Sequence, residues 1–184
     1  AEAGDCESSD QGDDPMDGYD RLCAARVRPW TAAQYPLIAA WLEANREPLD
    51  RLVEASRRPR WFAPFPENSP VGLGQHLSVS YLLRGPYRAL TARVMLKAQR
   101  GDLAGACDDM IACRRLAGLA REEPTMSGLV VAHVIEGMSC YTQAALAHYF
   151  DLPAEGRKRL LELGDARPHW PSLAERYDTA ARFM

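Results

Sequence analysis

The chain has 184 residues, 47% of them hydrophobic and 26% charged, which is enough for one domain with a core of its own. Its net charge of −3 is unevenly spread: residues 1–20 hold eight acidic side chains and no basic one, so residues 21–184 are net positive by five. That excess is mild and scattered, too weak for a nucleic-acid groove, and no run of roughly 20 mainly apolar residues exists to span a membrane.

Taken in order, residues 1–20 read as a flexible acidic tail, because they contain Asp, Gly and Ser and almost no large apolar group. The stretch from Asp10 to Gly18 has the composition of a calcium loop but lacks the alternating ligands and terminal Glu of an EF-hand. A single helical domain is expected over 21–184. Residues 21–30 form an irregular lead-in ending at Pro29-Trp30, and Thr31 caps a helix through Tyr35, Leu37, Ile38, Trp41 and Leu42. Pro48 either kinks that helix or starts a second one, which runs to about Arg57. Residues 59–75, with Trp61, Phe62, Phe65 and four prolines, carry no helical period and form a long loop.

Helix resumes by Pro86, or as early as Gln75, and runs to Gly101. Asp102 then caps a helix with Leu103, Ala106, Cys107, Met110, Ile111, Arg114 and Ala117 along one side. Pro124 suits the first turn of the most apolar helix, about 125–149, which His133, Glu136, Gln143 and His148 interrupt and which reads as a buried central element. Asp151-Leu152-Pro153 starts another helix that runs to Gly164, and Pro168 and Pro171 frame a last one from Leu173. No strand pattern of useful length occurs. The expected fold is all-α, built of antiparallel helical hairpins.

The termini carry expectations of their own. The chain begins at Ala1 rather than Met, which points to a removed segment, either an export signal or a purification tag. The last helical pattern reaches Met184 without a stop signal, so the natural protein is expected to continue.

Five cysteines, Cys6, Cys23, Cys107, Cys113 and Cys140, fit no zinc spacing. If the turn between the two longest helices is centred between Glu123 and Pro124, Cys107 and Cys140 lie opposite one another. A disulfide between them and a simple buried contact are both open.

Gly101-Asp102, Ala106, Met110 and Cys113 resemble the second half of a tetratricopeptide repeat, although the first half lacks the aromatic and glycine pattern of that repeat. More broadly, Trp41-Leu42-Glu43-Ala44-Asn45, Gly101-Asp102, Arg115-Leu116-Ala117, Glu123-Pro124 and the apolar helix that follows are similar to a family of uncharacterised, predicted exported bacterial helical proteins. The similarity spans about residues 30–180. It implies export and a helical fold, and it brings no catalytic residue.

Few groups suggest chemistry. His133 and Glu136, three apart on the apolar helix, share a face and are the one metal or acid–base candidate, set against a polar pair held by neighbouring arginines. Di-iron bundles use Glu-x-x-His on two helices, whereas this chain has His-x-x-Glu once. Asp108-Asp109 and Glu122-Glu123 read as solvated acidic pairs near helix ends. Arg57, Arg58 and Arg60 beside Trp61, Phe62 and Phe65 form a basic, aromatic patch. It is too short for single-strand nucleic-acid binding and better suited to a lid or a protein partner. No nucleophile motif, phosphate loop or dinucleotide fingerprint occurs, and no cofactor is expected.

The reading is therefore an exported helical module, periplasmic or secreted with the cytoplasm as alternative. Its role is protein–protein interaction, as a scaffold or accessory subunit. The alternative is a metal- or cofactor-binding bundle enzyme using the His133/Glu136 region.

Overall fold

A left-handed glycine turns the chain at the centre of the fold. Gly101 has φ 85; its N–H donates to the Ala98 carbonyl and that of Asp102 to the Lys97 carbonyl. This paired closure ends a helix tightly, and only glycine adopts its backbone angle without strain. Asp102 then opens the next helix, its Oδ1 accepting from the Gly105 N–H at 2.9 Å.

The computed structural model describes residues 15–60, 72–122, 126–165 and residues 172, 174, 175 and 178. Among the described residues seven helices have defined bounds: α1 (Pro15–Ala25), α2 (Pro36–Ala44), α3 (Arg46–Ala55), α4 (Gly72–Gln99), α5 (Leu103–Arg121), α6 (Met126–Tyr149) and α7 (Ala154–Asp165). Among the described residues there is no strand. The protein is all-α.

Successive contacts fix the direction of the central helices. Arg93 and Lys97 of α4 reach Asp109 of α5, while Tyr87, further back on α4, lies beside Cys113. On the next pair, Arg114 meets Cys140 and Arg121 meets Glu136. Both hairpins are therefore antiparallel, and α4, α5 and α6 each pack against the other two. Leu90, Met95, Met110, Ile111, Ile135 and Leu146 are fully buried between them. At about 1.5–3 kcal/mol for each such side chain, this interior is the main source of stability.

The remaining helices lean on this trio. α1 packs on α4, α3 and α7 on α5, and α2 on α3. Ahead of α2, Trp30 is buried and its Nε1 donates to the Ala92 carbonyl at 3.1 Å. A Cβ on Gly156 would lie 2.6 Å from the Cys107 sulfur, so glycine is what lets α7 approach α5 closely. Ser172 and Glu175 exchange backbone-to-side-chain hydrogen bonds of 2.6 and 3.2 Å, a capping box at the start of the last expected helix.

Several boundaries differ from the sequence reading. Residues 21–25 are not an irregular lead-in but the second half of α1, which begins at Pro15 inside the acidic stretch. Proline in a first turn and acidic residues near a helix start both favour that placement; residues 1–14 lie outside the described ones. Thr31 closes a local turn by accepting from Gln34 and Tyr35, and α2 starts instead at Pro36. The α2–α3 break falls at Asn45, whose Nδ2 donates to the Trp41 carbonyl. Pro48 is thereby left in the first turn of α3, where a missing N–H breaks no ladder bond. Helix also begins at Gly72 rather than at 75 or later, with Pro86 inside α4.

Candidate functional site

The apolar residues of α2 run almost all the way round the helix, and one face cannot be used by the core. Leu42 points inward and is buried, whereas Leu37 is 66% and Trp41 49% exposed. These two stand at the lip of a groove of about 630 Å³ lined by residues from four helices. Leu22 of α1, Ile38 of α2, Leu49 and Leu52 of α3, and Pro86 and Ala89 of α4 form its walls. Among the described lining residues Asn45 is the one amide side chain, and its Nδ2 already donates to the Trp41 carbonyl. The size is that of a ligand pocket, yet the lining offers almost nothing to orient a polar small molecule.

One turn beyond Leu52 on α3, a second opening of about 470 Å³ lies between the end of α3 and the last turns of α5. Ser56, Arg57 and Arg58 line one side; Arg115, Gly118, Leu119 and Glu122 line the other. Arg57, Arg58 and Arg60 are exposed and Arg115 is half-buried. None of the four guanidinium groups makes an ion pair or side-chain hydrogen bond among the described residues. The α3 carbonyls do not need them either: Leu52 accepts from the Ser56 N–H, Val53 from the Ser56 hydroxyl, Glu54 from the Arg57 N–H and Ala55 from the Arg58 N–H. Of the arginines singled out in the sequence, Arg57 and Arg58 line this opening and Arg60 does not; Arg115, not a candidate in the sequence reading, joins them through tertiary packing.

Between groove and cleft lies a buried ionic cluster. Asp109, with a side chain 3% exposed, accepts from Arg93 at 2.9 Å through both oxygens and from Lys97 at 2.8 Å. The same Arg93 donates to Asp50 of α3 at 2.7 Å, so three helices are tied together. Burial works against the Arg93 charge, and Asp109 and Asp50 more than offset it, raising its pKa. This corrects the reading of Asp108-Asp109 as a solvated pair. Asp108 is exposed and bonds Arg159, but Asp109 falls in the inward stripe that runs from Ala106 through Met110 to Cys113.

The His133/Glu136 candidate separates into two unrelated contacts. His133 is exposed with Nδ1 2.9 Å from the Leu129 carbonyl, and Glu136 forms an ion pair with Arg121 of α5. Using Glu136 as a metal ligand would break that pair, and among the described residues no three His, Cys, Asp or Glu side chains are placed to hold a metal ion.

Cys107 and Cys140 are not joined in the structure, each with a different neighbour. Cys107 is buried against Gly156 of α7, whereas Cys140 is exposed and accepts from Arg114, two helical turns along α5 from Cys107. The mirror register assumed about Pro124 does not hold. Cys113 is fully buried; burial and nearby Asp109 push its thiol far above the ordinary range, so it is no nucleophile. Its neighbour Tyr87 is also pushed up by burial and hydrogen-bonds the Ser139 hydroxyl.

Trp61, Phe62 and Phe65, and the calcium-like stretch up to Asp14, lie outside the described residues. No described helix is long and apolar enough to cross a membrane. Compared with known proteins, the chain matches no family model, no curated protein and no solved structure.

Proposed function

We propose that this protein is a helical interaction module, a scaffold or accessory subunit whose apolar groove receives the apolar face of a partner helix. The observation that carries this reading is the lip formed by Leu37 and Trp41, large side chains standing in water beside a groove walled by leucine, isoleucine and proline. Apolar surface of this kind marks interaction sites. A helix satisfies its own backbone, so it can enter a groove with a single amide in its lining without leaving polar groups unpaired. A folded-in small molecule would need more polar groups to fix its orientation.

On this reading the hairpins of α4, α5 and α6 are part of a tetratricopeptide-like array, an architecture that presents extended binding faces. The resemblance to exported helical proteins supports a periplasmic or secreted location.

A photo-crosslinking side chain placed at Leu37 in the native organism tests the function. It should join to a distinct protein that is not joined from position 133, an exposed site on α6. The same products from both positions, or none from Leu37, would reject the groove as the binding face.

A further inference from the structure

We propose that the cleft between α3 and α5 binds an acidic stretch of a polypeptide partner, whose carboxylates meet Arg57, Arg58 and Arg115. The inference rests on the protein-binding reading and gives that partner a second, chemically distinct contact. Arginines at a helix end ordinarily serve its free carbonyls, but here those carbonyls are already engaged by the Ser56 hydroxyl and by backbone N–H groups. Among the described residues the guanidinium groups of Arg57, Arg58 and Arg115 are without an ion pair around this opening. Glu122, the one acidic residue among the described lining, already has an interaction of its own. A half-buried, unpaired Arg115 is the least expected of them, since a partly desolvated charge without a counter-ion is costly. A carboxylate supplied from outside would offset that cost through paired N–H···O bonds.

The shape of the site selects among anions. Arg57 and Arg58 follow one another along the irregular segment after α3, with Arg115 across the opening from them and exposed Arg60 next along the chain. A row of charges suits carboxylates spaced along a chain better than one compact phosphate. Among the described residues the lining holds no aromatic ring on which a nucleic-acid base could stack, while Leu119 and Gly118 give an apolar floor for side chains between the acids. Leu52 and Ser56 sit one turn apart on α3, so groove and cleft follow each other along the same side of that helix. One partner segment, an amphipathic helix with an acidic extension, can occupy both.

The test is fluorescence anisotropy of a labelled Glu-Gly repeat peptide titrated with the full chain, beside a Lys-Gly repeat, oligothymidylate and inorganic phosphate. The Glu-Gly peptide should bind, and Arg115→Glu or Arg57→Glu should weaken it by at least about tenfold. Arg115→Gln should weaken it less, Arg100→Glu, at the exposed α4–α5 turn, should leave it unchanged, and circular dichroism should show each variant folded. Leu37→Asp should leave peptide binding intact, so a failed groove is distinguishable from a failed cleft. Absence of Glu-Gly binding, tighter binding of oligothymidylate, displacement by phosphate, or equal loss with Arg100→Glu or Leu37→Asp would each overturn the proposal.

Discussion

Replacing Asp109 by alanine should be far more damaging than replacing Asp50, although both carboxylates bind the same arginine. Asp109 meets Arg93 through two bonds and Lys97 through a third, and its side chain is 3% exposed. Arg93 is itself only 8% exposed, so removing Asp109 strands a buried guanidinium with Asp50 as its remaining counter-ion. Breaking a buried pair from one side costs about 3–5 kcal/mol; with Asp50 still in place, the lower end, about 3 kcal/mol, is expected. At about 2–4 °C per kcal/mol for a chain of this size, the melting temperature should fall by roughly 6–12 °C. Asp50 has a side chain 61% exposed, and Asp50→Ala should cost no more than about 1 kcal/mol. Denaturant unfolding of Asp109→Ala, Arg93→Met and the double variant supplies the cycle that isolates their coupling. If the double variant is no more stable than Asp109→Ala, or if Asp109→Ala and Asp50→Ala cost the same, the stranded charge is not what the loss measures.

Alkaline pH should unfold the protein from within. Cys113 and Tyr87 are both held protonated by burial, so between the unfolded and the raised folded pKa the native state binds more protons than the unfolded chain. Stability is then unaffected below the ordinary thiol value, about 8.5, and falls as pH rises beyond it, steepening near 10 as tyrosine joins. Cys113→Ala should flatten the first part of that fall in pH-dependent denaturation; an unchanged slope would remove the thiol from the account. Thiol labelling followed by mass spectrometry should modify Cys140 first among the four described cysteines, Cys23 next, and Cys107 and Cys113 only when the protein unfolds. Early labelling of Cys113, or a Cys107–Cys140 disulfide in the untreated protein, would contradict the packing of α5.

What was legible in the sequence was local. The Gly101-Asp102 turn reads directly because a left-handed glycine followed by a capping aspartate has few other uses, and the helices on either side follow from it. The misreadings came where distance along the chain was taken for distance in space. Cys107 and Cys140 were paired by a mirror register about Pro124, but packing sets Arg114 beside Cys140 and turns Cys107 toward α7. Asp109 was read with its neighbour Asp108 as a solvated pair, although its helical position aligns it with Ala106 and Cys113 on the inward side, where a carboxylate survives only because Arg93 and Lys97 come from α4. The groove and the arginine cleft have the same origin. In the sequence Leu37 and Trp41 belong to the apolar pattern of one short helix and Arg57 and Arg58 to a local basic patch; that the core leaves part of that helix uncovered, and that Arg115 joins the arginines from more than fifty residues away, is set by tertiary packing alone. In an all-α protein each helix has few sides, and the core claims the regular stripes first. The side chains that the core leaves uncovered, Trp41 on α2 and Arg115 with no ion pair among the described residues, are therefore the ones on which the proposed contacts rest.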